Sequence, residues 1–323
     1  MSDREVLLDV RNLKKYFGLG HGKTLHAVDD ISFTIEAGTT LGLVGESGCG
    51  KTTVGRTLVN LYNSDGGSIF FHGKDITNYS QRQIRKEKLA CKMQMIFQDP
   101  YASLNPYFTV GEIISEGLDI HSIGANRAER QQMVYDLLDC VGLHREHANR
   151  FPHEFSGGQR QRVGIARALA LNPEFIVCDE ATSALDVSVQ AQIINMLIDI
   201  QEQRNLTYLV VAHDLSVVRY ISDRVAVMYS GKIVEIGDVD EVYDHPAHPY
   251  TVGLLDAVPV ADPDYEKSRE SKGMQGEVSS PVNPGPGCRF AARCPYATDE
   301  CKNSTPQMKP LGGDHYAACH HLG

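Results

Sequence analysis

The chain opens with short apolar or alternating runs separated by glycine. Residues 7–10, 31–35, 41–44 and 68–71 have strand length, and Gly38, Gly45 and the Gly66-Gly67 pair punctuate them. A β-rich lobe is predicted there. From residue 110 to 171 the period lengthens. Met133, Leu137, Leu138 and Val141 recur at helical spacing, as do Val163, Ile165, Ala166 and Leu169. Two compact apolar runs follow at 175–178 and 208–211, on either side of a helix through Ile193, Ile194, Leu197 and Ile200. That alternation predicts a parallel sheet with crossover helices, so the fold class is α/β. Residues 224–229 and 232–236 flank Ser230-Gly231, a hairpin turn signal.

Periodicity ends after Leu255. Pro259, Pro263, Pro281, Pro284 and Pro286 and a charged run over 266–272 replace it. The pattern predicts a main domain over 1–258 with a helical subdomain at about 100–172, a linker or extended arm over 259–287, and a small appendage over 288–323. There is no internal repeat, so one such main domain is expected. The charged stretch 82–88 reads as a solvated helix.

Composition narrows the function classes. The 323 residues are 42% hydrophobic and 22% charged, as in an ordinary soluble protein, and the net charge of −10 argues against a nucleic-acid partner. No apolar run reaches membrane-spanning length, and the start Ser2-Asp3-Arg4-Glu5 does not resemble a signal peptide, so a cytosolic location is expected. Of the eight cysteines, Cys49, Cys91, Cys140 and Cys178 are scattered, whereas Cys288, Cys294, Cys301 and Cys319 crowd the tail. In a reducing compartment such a cluster suggests a metal before a disulfide.

Gly45-Glu46-Ser47-Gly48-Cys49-Gly50-Lys51-Thr52 follows a strand at 40–44 and precedes a helix whose apolar face is marked by Val54, Leu58 and Leu61. Strand, loop and helix are the context a phosphate-binding loop requires. The glycines let backbone N–H groups turn toward phosphates, and the helix N-terminus adds positive potential there. Lys51 would reach the β- and γ-phosphates, Thr52 would ligate Mg²⁺, and Thr53 lies beside it on the first turn. Cys49, near that N-terminus and Lys51, is expected to favour thiolate and to be protected from alkylation by ATP. Residues 175–180 form a second candidate element, a buried strand ending in Asp179 and Glu180. Asp179 would hold Mg²⁺ and Glu180 would polarise the attacking water as general base.

With Phe155-Ser156-Gly157-Gly158-Gln159 followed by Arg160-Gln161-Arg162, the sequence resembles the ABC-type ATPases, whose signature motif has this form and position. The resemblance covers residues 6 to about 240. It implies an antiparallel β lobe and a helical subdomain around the parallel-sheet core. It also implies that Ser156, Gly157, Gly158 and Gln159 cap the γ-phosphate of ATP bound to another subunit. Gln98 matches the glutamine that senses Mg²⁺ and water and links the site to a membrane partner. The run Ser183-Ala184-Leu185-Asp186 matches the loop at the dimer interface, and His213 the histidine that contacts the γ-phosphate. Tyr16 and Phe17 lie where the family stacks an aromatic on adenine, and Phe17 fits slightly better. Ala181 stands where many relatives carry proline. With Glu180, Gln98 and His213 all present, the site reads as hydrolytic.

Residues 97–106, the phrase His248-Pro249-Tyr250-Thr251 and the cysteine tail resemble the ATP-binding subunits of peptide-type ABC importers, which serve dipeptides, oligopeptides, glutathione and nickel. The resemblance implies a peripheral position on the cytoplasmic face of the cell membrane. It implies as partners a second related ATPase chain, preferably in a heterodimer, two membrane permease subunits and an extracytoplasmic binding protein. His245, His248 and Tyr250 themselves read as a helix entry with an aromatic packed on the core. The tail spacing, Cys288-x5-Cys294-x6-Cys301-x17-Cys319, lacks the pairs of a zinc ribbon. In some members of this branch a similar tail holds a [4Fe–4S] cluster, which is the expectation the resemblance implies here, with Zn²⁺ or no metal as alternatives. A soluble ABC ATPase acting on DNA or the ribosome is the competing function. Against it, the interval from loop to signature is too short for a long coiled-coil insertion, and there is one cassette rather than two.

Overall fold

The structure, a computed structural model, describes residues 5–257 and 280–322. Most of the expected arm, residues 259–279, lies outside the described residues. Strands in chain order are β1 (Val6–Gly20), β2 (Lys23–Glu36), β3 (Thr40–Val44), β4 (Gly66–Phe71), β5 (Lys74–Asp75), β6 (Met93–Ile96), β7 (Phe175–Asp179), β8 (Thr207–Ala212), β9 (Arg224–Tyr229), β10 (Lys232–Asp238), β11 (Lys309–Gly312) and β12 (His315–Ala317). The chain forms two compact units, one of Met1–Glu5, Glu36–Thr39 and Tyr79–Val210, the other of Val6–Ile35, Thr40–Asn78 and Val211–Gly323.

In the unit that holds the phosphate loop, β2-β1-β4-β5 form an antiparallel sheet. Leu8 pairs with Phe71 and Val10 with Ile69, all four buried, and the register shifts between Arg11 and Lys14. These strands are longer than the apolar runs at 7–10 and 31–35: β1 continues to Gly20 through mostly half-buried and exposed residues, and β2 begins at Lys23. The second sheet of the unit places β3 parallel to β9, with Leu41 opposite Arg224 and Val44 opposite Val227. Next comes the β9–β10 hairpin. Its turn has φ of 44° at Ser230 and 86° at Gly231, the two positive values that the Ser-Gly signal predicts.

The tail corrects the sequence expectation. Rather than standing off as an appendage, it extends this sheet: β12 pairs antiparallel with β10 (Glu235 opposite Ala317) and β11 closes the edge. Pro281 and Asn283, assigned to the arm, bond instead to β2, through His26 N–H to Pro281 O and a reciprocal pair between Thr24 and Asn283. Phe290 enters the core with Val44, Val227, Tyr229 and Tyr250. Glu235, wholly buried, accepts the N–H groups of Ala247 (2.7 Å) and His248 (2.9 Å) and faces His315 Nε2 at 2.7 Å, so a tail residue helps satisfy a core carboxylate.

In the other unit β6 runs parallel to β7, Met93 opposite Phe175 and Ile96 opposite Cys178. The expected helical stretch resolves into Val110–Ile120, Arg127–Cys140 and Gly157–Leu169, and Val187–Arg204 follows β7. Thr109 and Glu112 form a capping box on the first of these. The helix Gln81–Lys86 buries none of its residues, as its charge predicts.

His248 is the N-cap of the helix Pro249–Asp256. Its Nδ1 accepts the Tyr250 N–H at 3.0 Å, and burial lowers its pKa to about 4. A histidine depressed in the fold binds fewer protons there than in the unfolded chain, where its pKa is about 6.5. Its contribution is therefore present above the unfolded value and is lost as pH falls from about 6.5 toward about 4. Denaturant titrations across that window should show falling stability for the wild type. The slope should be shallower in His248→Asn, which keeps a capping acceptor but no titratable ring.

Candidate nucleotide site

Five buried residues of β3 run into Gly45, and the helix Lys51–Leu58 begins six residues later. Two glycines set the curve between them. At Gly45 (φ 153°) a Cβ would lie 2.1 Å from Met228 O, and at Gly50 (φ 109°) 1.9 Å from Ala27 O, so backbone, not a movable side chain, forbids any substituent. Ser47 and Gly48 lie exposed on the rim, and Thr52 and Thr53 are half-buried on the helix's first turn. Lys51 is 4% exposed and folds back: its ammonium donates to Gly45 O (2.7 Å) and Glu46 O (3.0 Å) and touches Cys49 Sγ at 3.7 Å. The expected Cys49 thiolate is corrected here. Burial raises the thiol's pKa above its ordinary value and outweighs the opposing pull of Lys51.

The acidic strand end forms the second part. Asp179 is 1% exposed at the last position of β7. Glu180 follows with φ of 45°, a left-handed conformation that costs a non-glycine residue about 1 kcal/mol or more. Its carbonyl accepts from Ser183 N–H and Oγ, and Gln98 Nε2 donates to its Oε2 at 2.7 Å. The two residues assigned to base and sensor, 82 positions apart, thus meet. His213 is exposed just beyond β8 in the unit of the phosphate loop.

The third part is the signature. Exposed Ser156 caps the helix Gly157–Leu169, its hydroxyl accepting Gln159 N–H at 3.4 Å while Gln159 Oε1 accepts Ser156 N–H at 3.0 Å. A Cβ on Gly158 would lie 2.4 Å from Val189 Cγ1, whereas one on Gly157 would meet Leu185 Cδ2 at an ordinary 3.4 Å. Asp186 has a role that the sequence did not reveal. It caps the helix Val187–Arg204, accepting Val189 N–H at 3.1 Å and Ser188 Oγ at 2.8 Å, bonds that hold its carboxyl below the usual range. Signature and interface loop are therefore joined at Val189.

Of the two aromatics, Tyr16 is engaged: its hydroxyl donates to Asp29 Oδ1 at 2.6 Å and its ring lies 4.1 Å from that of His26. Phe17 makes an edge contact with Tyr62 at 5.6 Å. Burial raises the pKa of the Cys288 thiol, and Cys301, Cys294 and Cys319 add to the rise. The four thiols do not form a ligand set: among the described residues no three histidine, cysteine or acidic side chains stand close enough to hold a metal ion. Cys301 Sγ instead contacts Thr298 Oγ1 and His321 Nε2, and Cys319 Sγ accepts His321 N–H. The geometry gives the expected [4Fe–4S] or zinc site no support.

A phosphate loop after a buried strand, a glutamate held by a glutamine at a second strand end, and a capped Ser-Gly-Gly helix define an ATP-binding cassette. The comparisons with known proteins agree. Residues 28–183 match the ABC transporter family, and residues 234–301 match the C-terminal region of oligopeptide/dipeptide transporters. The oligopeptide transport ATP-binding protein AppF of Bacillus subtilis is 51% identical, with 99% of this chain and 98% of that protein aligned. OppF of the same organism is 58% identical over 82% of this chain and 86% of its own length. Among solved structures, the ATP-binding cassette MJ0796, a dimer in a post-hydrolysis state bound to ADP and Pi, is 27% identical with a TM-score of 0.65, covering 72% of this chain and 99% of that one. The cbiO1 protein of Clostridium perfringens, part of the ABC transporter complex cbiONQ, has a TM-score of 0.66 at 27% identity over 75% of this chain and 92% of its own. The chain belongs to the ATP-binding subunits of oligopeptide/dipeptide ABC transporters.

Two outcomes follow from this geometry. Gly158→Ala must push the signature helix away from Val189 and should destabilise the fold by about 1–3 kcal/mol, measured by denaturant unfolding. Cys49, 6% exposed with its pKa raised, should resist iodoacetamide at pH 7 even without ATP, and mass spectrometry should find it labelled only after unfolding.

Proposed function

We propose that this chain binds and hydrolyses ATP to power import of peptides through a membrane ABC transporter. The observation that carries this reading is the Gln98–Glu180 hydrogen bond in a chain that also has an intact phosphate loop. The naming of relatives, one of them matched over nearly its full length, as oligopeptide transport ATP-binding proteins supports the substrate class. Gly45, Ser47, Gly48, Cys49 and Gly50 would surround the phosphates with backbone, and Lys51 would trade its loop carbonyls for the β- and γ-phosphate oxygens. Thr52, Gln98 and Asp179 supply the oxygen donors suited to Mg²⁺, which would neutralise charge on the phosphates. Water oxygen bonds to the γ-phosphorus as the bond to the ADP oxygen breaks, and the water proton passes to Glu180. His213 would contact the γ-phosphate, and Phe17, whose partner Tyr16 is already engaged, would stack on adenine.

Ser156, Gly157, Gly158 and Gln159, with Asp186 behind them, would complete the ATP site of a second cassette. A related but different chain is the favoured partner, beneath two permease subunits fed by an extracytoplasmic binding protein. No helix among the described residues is long and apolar enough to cross a membrane, which fits a peripheral place on the cytoplasmic face. The proposed functional division is a cassette over 1–258, an arm over 259–287 and a cysteine tail over 288–323, with Pro281 and Asn283 bonded to β2 and β12 of the tail built into the cassette's sheet. The finer expectation of a [4Fe–4S] cluster on Cys288, Cys294, Cys301 and Cys319 rests on the spacing of the four cysteines and the resemblance of the tail to that of peptide-type importers, not on the geometry. Iron and sulfide analysis of anaerobically purified protein tests it, and a colourless preparation with stoichiometric zinc would reject it. For the hydrolytic role, Glu180→Gln should reduce turnover by about 100-fold or more while ATP binding, followed by equilibrium dialysis, is retained. Normal turnover would remove Glu180 as the base.

A further inference from the structure

The cysteine tail reaches the phosphate loop directly. Arg293 donates to Glu46 through three bonds, Nη1 to Oε1 (3.0 Å) and Oε2 (2.8 Å) and Nη2 to Oε1 (3.0 Å). The pair is largely buried, with side-chain exposures of 7% for Arg293 and 24% for Glu46. The Arg293 guanidinium lies 5.8 Å from the ring of Tyr229 and 6.0 Å from that of Phe290, which restricts its direction. The backbone of the same loop residue is also held, since Tyr250 Oη accepts the Glu46 N–H at 2.9 Å and Tyr250 is wholly buried. Glu46 O also accepts the Lys51 ammonium (3.0 Å) and the Cys49 N–H (3.3 Å), both from within the loop.

We infer that Arg293 and Tyr250 form a clamp on Glu46 that positions the phosphate loop for ATP, which makes the tail part of the nucleotide site's support. The inference rests on the ATPase reading and deepens it. Two physical reasons give the clamp its work. Lys51 must release loop carbonyls to bind phosphate, and when it does, the hold on the entrance of the loop passes to Tyr250 and Arg293. Glu46 is also an anion in a loop that receives a polyanion. The guanidinium offsets its charge, and without it a half-buried carboxylate would oppose the incoming phosphates. Arg293 is a positioning residue: it acts through Glu46.

The test measures MgATP affinity by calorimetry on the full chain, with thermal unfolding in parallel. The wild type should bind ATP; failure to do so would overturn the ATPase reading itself and not only the clamp. Arg293→Ala should weaken MgATP binding about tenfold, the scale of a charged hydrogen bond. The double variant Glu46→Gln with Arg293→Ala should recover most of that loss, because the opposing carboxylate is gone. Tyr250→Phe, which removes only the acceptor of the Glu46 N–H, should also weaken binding while the melting temperature changes little. Wild-type affinity in Arg293→Ala would overturn the clamp. So would a double variant as weak as the single one with melting temperatures lowered in step, which is the behaviour of a tail that only staples the fold.

Discussion

A loop that binds phosphate must hold backbone amides in a tight curve without letting any side chain fill the concavity. Here the curve is pressed against backbone at both ends, Gly45 against Met228 O and Gly50 against Ala27 O. Met228 lies on β9, which β3 meets in parallel register, and Ala27 lies on β2 of the antiparallel sheet. The loop therefore takes its shape from two different sheets. Shifting either by an ångström would open or close the site.

The same constraint explains the burial around it. Val44, Val225 and Val227 carry the loop's foundation, and Tyr229 packs edge to face on Tyr250 and Phe290, which are tilted against each other, at 4.6 to 5.5 Å between ring centroids. Phe290 comes from the tail, as do Arg289 on Asp29 and His315 on Glu235. Removing one partner of a buried ion pair such as Arg289–Asp29 is strongly destabilising, on the order of 3–5 kcal/mol. A tail tied in by the Arg289–Asp29 and Arg293–Glu46 ion pairs, the His315–Glu235 contact and an aromatic ring is part of the core in energetic terms.

Much of this was legible in the sequence where the signal is local. The strand, glycine loop and helix around Lys51, the Ser230-Gly231 turn and the acidic end of β7 depend on neighbouring residues, and pattern reports them well. Gln98 and Glu180 meet as their motifs imply. The misses have a common cause. Tyr250 and Glu46 are 204 positions apart and Arg293 and Glu46 are 247 apart, and hydrophobic periodicity carries no information on such pairs. His248 and Tyr250 read as a helix entry, which is correct, yet the hydroxyl that reaches the loop has no signature. Cys49 misled for the same reason: its chain neighbours favour thiolate, but the depth of the site determines its pKa. Residues 309–317 carry no alternation, so β11 and β12 were invisible before their pairing with β10.

Taken alone, this chain presents the phosphate loop of one site and, in an exposed serine at a capped helix, the signature for another. On the function proposed above, its ATP site is half of a working site. The most direct measurement is ATPase activity against assembly state, with light scattering on the same samples. Monomeric chain should be nearly inactive, and hydrolysis should appear on dimerisation or on addition of the partner cassette and permease subunits. A monodisperse monomer that hydrolyses ATP at constant specific activity on dilution would contradict it.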